Sequence, residues 1–104
     1  MADPYYQALE VAASATGDYT FDINGNRQVQ LGVVENGTGA VYNIIAYLAN
    51  SSESGRVKHT IETGVTGNYI KTSVSGFAEV GIEVTTGSTG GTIDVEVREI
   101  DRLR

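Results

Sequence analysis

Residues 78–100 read AEVGIEVTTGSTGGTIDVEVREI. Val80, Ile82 and Val84 alternate with Gly81 and Glu83. Ile93, Val95 and Val97 alternate with Asp94, Glu96 and Arg98. A period of two places alternate side chains on opposite faces of a strand. Each half therefore reads as a strand with one apolar face and one charged face. Gly87-Ser88-Thr89-Gly90-Gly91 between them reads as a flexible turn. The spacing predicts an antiparallel hairpin, with Glu79 and Glu83 on the outer face.

The same period extends toward the N-terminus. Asp18–Ile23 alternates with Tyr19, Phe21 and Ile23 in phase, and Gln28–Val34 with Val29, Leu31 and Val33. Asn24-Gly25 lies between these runs and is a strong signal for a two-residue hairpin turn, because both residues tolerate positive φ. The spacing thus predicts a second hairpin. Residues 40–49, AVYNIIAYLA, are apolar on both faces: Tyr42, Ile44, Ala46 and Leu48 on one, Val41, Asn43, Ile45 and Tyr47 on the other. A strand of that kind is covered on both sides. Arg56–Glu62 alternates with Val57, His59 and Ile61 in phase, and Thr63–Gly67 reads as a turn. Asn68–Val74 carries Ile70, Thr72 and Val74 in phase, with Tyr69 opposite. Residues 6–13, YQALEVAA, suit helix by composition, but the β-rich remainder favours a strand. Residues 1–5 read as a short N-terminal arm in which Pro4 holds Asp3 extended.

Seven or eight short strands at about ten-residue spacing predict an all-β fold, an antiparallel β-sandwich of jelly-roll type. With 104 residues the chain is expected to form one domain. Residues 1–13 supply the arm and first element, and 17–100 the core. The predicted core is Tyr19, Phe21, Ile23, Val29, Leu31, Val33, Ile44, Ile61, Val74, Val80, Ile82, Val84, Ile93, Val95 and Val97. The 12 Val, 8 Ile and 11 Thr agree with this class, since β-branched side chains fit a pleated sheet.

Charge and composition narrow the function. The net charge is −6, with 13 acidic and 7 basic residues. Nucleic-acid binding needs a basic footprint to displace counterions, and an anionic membrane surface repels such a chain, so neither is an expected partner. No run of 18 apolar residues is present, and Met1–Pro4 lacks the basic start and apolar run of a signal peptide. The absence of cysteine excludes disulfides and thiolate chemistry.

Candidate chemistry is sparse. The one histidine, His59, lies in phase with Val57 and Ile61 and reads as a sheet residue rather than a catalytic base. Asp94 and Glu96 share a strand face at roughly 7 Å, a separation compatible with glycoside hydrolysis. No aromatic platform flanks them, and Arg98 serves as their counter-charge. Asp22, Asn24 and Asn26 have the alternation of a calcium loop. Gly25, however, falls at the fourth position instead of the sixth, and Val33 stands where a bidentate Glu is needed. Asn36-Gly37-Thr38 and Asn50-Ser51-Ser52 match the glycosylation acceptor but read as ordinary loop composition. Neither a metal nor a cofactor is expected. The enriched large side chain is tyrosine, with six copies. Tyr5, Tyr6, Tyr47 and Tyr69 fall outside the core phase, which suits interface anchors.

TGDYTFDINGNRQVQLGVVENGTG (16–39) and TGNYIKTSVSGFAEVGIEVTTGSTGGTIDVEVREI (66–100) give the chain a recognisable texture. A strand ends in Val74-Ser75-Gly76; an alternating strand, Val80-Gly81-Ile82-Glu83-Val84, follows. A turn, Thr85–Gly91, then leads to the strand Ile93-Asp94-Val95-Glu96-Val97. This resembles small structural proteins of tailed-bacteriophage virions, of the head-decoration or capsid-associated kind. The resemblance implies a non-enzymatic protein located on the virion. It also implies homo-oligomers, often trimers, bound to a capsid protein. Expected interface residues are Tyr5, Tyr6, Val41, Asn43, Ile45, Tyr47, Tyr69, Arg102 and Arg104. The alternative is a carbohydrate-binding module, to which the tyrosines would contribute stacking surfaces while tryptophan is missing.

Overall fold

The computed structural model describes residues 6–23 and 28–100. Eight strands occupy them: β1 (Tyr6–Val11), β2 (Gly17–Asp22), β3 (Gln28–Glu35), β4 (Val41–Tyr47), β5 (Lys58–Thr66), β6 (Tyr69–Ser75), β7 (Glu79–Thr86) and β8 (Ile93–Glu99). Among the described residues no helix is long and apolar enough to cross a membrane. The strands form two antiparallel four-stranded sheets, ordered β1-β8-β3-β6 and β2-β7-β4-β5. We call these the first and second sheet.

The topology follows a simple rule. β4 pairs with β5, β3 with β6, β2 with β7 and β1 with β8. The chain is thus one long hairpin with β4 and β5 at its tip. Successive strand pairs fall alternately into the two sheets, and β3–β8 and β4–β7 contacts join them. A long hairpin rolled up in this way is a jelly roll. The expected fold class is therefore present, and the run at residues 6–13 contributes a strand, β1, at the edge of the first sheet.

Both predicted local hairpins are overturned. β7 and β8 lie in different sheets, as do β2 and β3. Asn24-Gly25 itself lies outside the described residues. The physical reason is that alternation reports which side chains face the core, and a sandwich core is approached from both sides. Two strands can share an apolar phase without sharing a hydrogen bond. The segment 87–92 is a docked crossover. Thr38 and Thr89 form a β-bridge, Ser14 N donates to Ser88 O at 2.8 Å, and Ser88 Oγ donates to Glu35 Oε2 at 2.9 Å. Ser88 is fully buried.

Irregularities in the ladders of β5 and β6 shift the phase of these later strands. Residues 63–66 do not turn the chain; β5 continues through them. Glu62 pairs with Ile44 and Val65 with Tyr42, so two residues face one across the ladder. Gly64 takes φ +66° at this bulge, a conformation that L side chains rarely adopt, and its N–H donates to Asn43 Oδ1 at 3.0 Å. In β6 the register slips between Val29↔Val74 and Leu31↔Lys71. Tyr69 consequently packs against the core and Ile70 faces outward, the reverse of the sequence expectation.

The core matches the predicted list except that Tyr19 and Ile61 are only partly buried. Val11, Ala40, Tyr42 and Ala46 join it. Tyr42 can be fully buried because its hydroxyl donates to Gly67 O at 2.6 Å. That burial pushes its phenol up to about 12.

Candidate interaction surface

The outer face of the second sheet is sealed by the chain's own side chains. Tyr47 Oη donates to Asp18 Oδ2 at 2.8 Å, reaching from β4 across β7 to β2. Tyr47 is level with Glu79, and Asp18 with Glu83, so the path crosses β7 at Gly81. A Cβ at Gly81 would collide with the backbone of Tyr19 and Thr20, so β2 lies against this position closely enough to require glycine. Lys58 Nζ reaches Asp18 Oδ2 at 3.0 Å and Glu83 Oε2 at 3.1 Å. In register, that path crosses β4 at Ile45, which is fully buried.

The loop 48–57 closes the other half of this face. Glu79 is only 5% exposed. It accepts from Thr20 Oγ1 at 2.9 Å, Ser51 N at 2.8 Å and Arg56 Nη1 at 2.8 Å. Burial works to raise its carboxyl, but these three donors and the guanidinium charge outweigh it and hold it below the ordinary carboxylate value. The Arg56 guanidinium also lies 3.7 Å over the Tyr47 ring.

These contacts decide where the expected interface residues stand. Ile45 is fully buried and Tyr47 is 6% exposed within one chain, so neither offers surface to a partner. The strand is covered on both faces as its composition requires, but its cover is the chain's own lid. Val41 and Asn43 are half-buried, and Asn43 Nδ2 donates to Glu83 Oε1 at 3.2 Å. Tyr69 faces inward at the β5–β6 edge, where its hydroxyl donates to Glu62 and Lys71 Nζ lies 3.3 Å from the same carboxylate. Burial first, and Glu62 second, push Tyr69 up to about 12. Tyr5, Arg102 and Arg104 lie outside the described residues. Tyr6 alone among the described tyrosines is well exposed, at 52%.

Tyr6 stands on the outer face of the first sheet, and that face is different in kind. Tyr6, Arg98 and Gln30 form one row across it. Ala8, Glu96, Gly32 and Ile70 form the next. Glu10, Asp94 and Val34 form the third. Ile70 is 63% exposed and Val34 44%. Gly32 leaves a shallow groove of about 420 Å³, lined by Tyr6, Gln30, Gly32, Ile70, Glu96 and Arg98. A second depression, about 480 Å³, adjoins it along β1 past Ala8 and Val34. Tyr6 Oη donates to Glu96 Oε1 at 2.8 Å, and the Glu96 side chain leans over Gly32. That hydrogen bond, followed by the Glu96 charge, raises the Tyr6 phenol. Arg56, Lys58 and Lys71 are each paired with carboxylates of the chain. Arg98 makes no ion pair with another described residue. The phase of Val29, Leu31 and Val33 already turns Gly32 and Val34 outward, but Ile70 is misplaced by the sequence because the bulge in β6 is not written in the local period.

The residues weighed for catalysis are scattered. His59 is exposed on the edge strand β5, its ring centroid 6.0 Å from that of Phe77. Asp94 Oδ2 accepts from Asn36 Nδ2 at 3.0 Å, and Glu96 accepts from Tyr6. Asn36 also donates to Thr92 Oγ1 at 3.0 Å, so its amide is engaged within the fold. Among the described residues no group of three His, Cys, Asp or Glu is placed to hold a metal ion.

No family model matches the chain, and no curated protein matches it in sequence. Solved structures do. The chain is similar to the SPBc2 prophage-derived protein YomS, at 15% identity and a TM-score of 0.58, over 94% of this chain and 96% of that one. It is more distantly similar to a Bacillus endospore appendage protein, from a family of disulfide-linked pili, at 20% identity and a TM-score of 0.47, over 95% and 88%. A third is Aeromonas hydrophila PliG, a periplasmic inhibitor of g-type lysozyme, at 14% identity and a TM-score of 0.45, over 93% and 86%. The likeness to YomS is one of fold.

Proposed function

We propose that this chain is a non-enzymatic structural protein of a tailed-bacteriophage virion, a capsid-surface module that decorates or cements the shell through protein–protein contacts. One observation carries the reading. The second sheet covers its outer face with ion-paired side chains and the loop 48–57, in which Leu48 and Val57 are exposed, whereas the strands of the first sheet themselves leave Tyr6, Val34 and Ile70 in the open around a side-chain-free Gly32. Exposed aromatic and aliphatic groups with a polar surround are the composition of contact surfaces. The jelly-roll topology, the sequence texture of phage virion proteins and the prophage origin of YomS support the same reading. Cryo-electron microscopy of particles bearing the chain tests it. The expected map has this domain on the shell, with the first sheet turned to a neighbour. A particle without it, or a map with the first sheet facing solvent, overturns the reading.

A second reading has its own observation. The groove over Gly32 places an exposed Tyr6 ring beside Gln30, Glu96 and Arg98, a set able to stack on and hydrogen-bond a sugar. Binding on a glycan array, lost in Tyr6→Ala, favours this carbohydrate-binding reading over the first. Tyr47 and Tyr69 are too enclosed to serve.

A further inference from the structure

We infer that the outer face of the first sheet docks on the same face of a second copy of this chain. The two copies are related by a two-fold axis lying across the strands, along the row Ala8, Glu96, Gly32 and Ile70. This inference rests on the reading of that face as adhesive, and it names the partner.

The first argument is the order of charge along the strands. Arg98 stands in the row at one end of the face, with Tyr6 and Gln30. Glu10 and Asp94 stand together in the row at the other end. Arg98 and Asp94 are four residues apart on β8, roughly 13 Å, too far to pair within one molecule. A two-fold axis across the strands reverses their direction. It sets Arg98 of each copy over Asp94 and Glu10 of the other, twice in one interface. Arg98 thereby gains the carboxylate that no described residue of its own chain supplies. An isologous contact of this kind needs self-complementary surface, and the two end rows of this face, Arg98 in one and Glu10 with Asp94 in the other, supply it, with Glu96 as the like charge in the middle row.

The second argument is the middle row. Ile70, the most exposed apolar side chain on the face, meets its symmetry mate there. Glu96 is drawn down by the Tyr6 hydroxyl and leans over Gly32, with Cγ and Oε2 each 3.3 Å from where a Cβ would stand. The gap at Gly32 gives the Glu96 side chain room to lie along the sheet instead of projecting from it.

The third argument is size. Four strands at about 4.8 Å and seven residues at about 3.3 Å give a face on the order of 440 Å² per copy. Both copies together fall below the roughly 1,200 Å² of a standard stable interface. The pair is therefore weak and concentration-dependent, suited to neighbours held close on a shell.

Sedimentation velocity of the full chain over a wide concentration series tests this. A reversible dimer is expected at the highest concentrations. Arg98→Glu is expected to weaken it at least tenfold with an unchanged circular-dichroism spectrum. The charge swap Glu10→Arg with Arg98→Glu should recover most of the loss. A chain monomeric throughout, a dimer indifferent to Arg98→Glu, or a swap that recovers nothing overturns the inference. Ile70→Asp separates it from the broader reading. If the native chain is monomeric but its attachment to capsids is abolished by Ile70→Asp, the face binds a shell protein: the second copy is wrong and the adhesive reading stands. If the native chain neither dimerises nor attaches, both fall.

Discussion

The Arg56 guanidinium carbon lies over the Tyr47 ring, 3.7 Å from its centroid, while Nη1 contacts Glu79 at 2.8 Å. One side chain from the loop 48–57 therefore holds the loop to the sheet and shields an aromatic that would otherwise face water. Arg56 is half of a lid whose other half is Lys58.

Removing the carboxylate under this lid should loosen it. Glu79→Ala deletes the acceptor of three hydrogen bonds and leaves the Arg56 guanidinium and Ser51 N–H without it. The expected loss of unfolding free energy is about 2–3 kcal/mol by chemical denaturation. Hydrogen exchange should rise first at Ser51. A loss below about 0.5 kcal/mol, within the range of an ordinary surface substitution, would show the lid to be decorative.

Gly81 should tolerate no side chain. A Cβ there meets the Tyr19 carbonyl oxygen and the Thr20 Cα, both backbone and unable to rotate away. Gly81→Ala is expected to cost about 3 kcal/mol, with the damage centred on the β2–β7 pairing. Thermal melts of this variant beside Gly32→Ala make a direct comparison. At Gly32 the Cβ meets only the flexible Glu96 side chain, so the smaller effect belongs there.

Acid should destabilise the fold through Glu79 and Glu62. Both carboxyls are held below their ordinary value of 4.5 in the folded chain, Glu62 chiefly by the Tyr69 hydroxyl. Their contribution is complete above the unfolded value and is lost as pH falls through the lower folded values. Glu79→Gln should flatten the decline in stability below pH 4.5. An unchanged slope in that variant would remove Glu79 from the account.

Alkali should act in the opposite sense. Tyr42 and Tyr69 are raised from 10.0 to about 12, so the unfolded chain ionises before the folded one. The stability they confer is complete below pH 10.0 and is lost as pH rises toward about 12. Tyr69→Phe should reduce that dependence, read from urea midpoints across the window.

The sheet assignment carries a prediction of its own. A peptide spanning 78–100 contains two alternating strands and a glycine-rich link, yet its halves bond to other strands in the fold. It should show no cross-strand nuclear Overhauser contacts in water. A stable hairpin would mean that the crossover works against a local preference.

Much of the fold was legible because burial in a sheet is periodic. The phases of β2, β3, β7 and β8 named most of the core correctly, from Phe21 to Val97. In β5 and β6 one phase does not run through the whole strand, since an extra residue reverses the side chains on its far side: Val74 lies inward as its phase requires, but Ile70 and Tyr69, beyond the β6 bulge, are exchanged. The candidate surface was less legible. Tyr6, which lies outside the core phase of the sequence, is exposed, whereas Ile45 and Tyr47 are enclosed although the two apolar faces of their strand suggest a partner. No local pattern says that Lys58, Asp18 and Arg56 will arrive from β5, β2 and a loop to cover them.

By itself the sequence determined the class of the fold, the inward or outward phase of its regular strands, and the lack of cysteine chemistry. Each depends on side-chain type and on spacing between near neighbours. Only the tertiary structure decided which strands share a sheet, which outer face is sealed and which is left open. Those outcomes depend on contacts such as Tyr47 with Asp18, 29 residues apart, which form only once the rolled hairpin brings β2 beside β7 and β4.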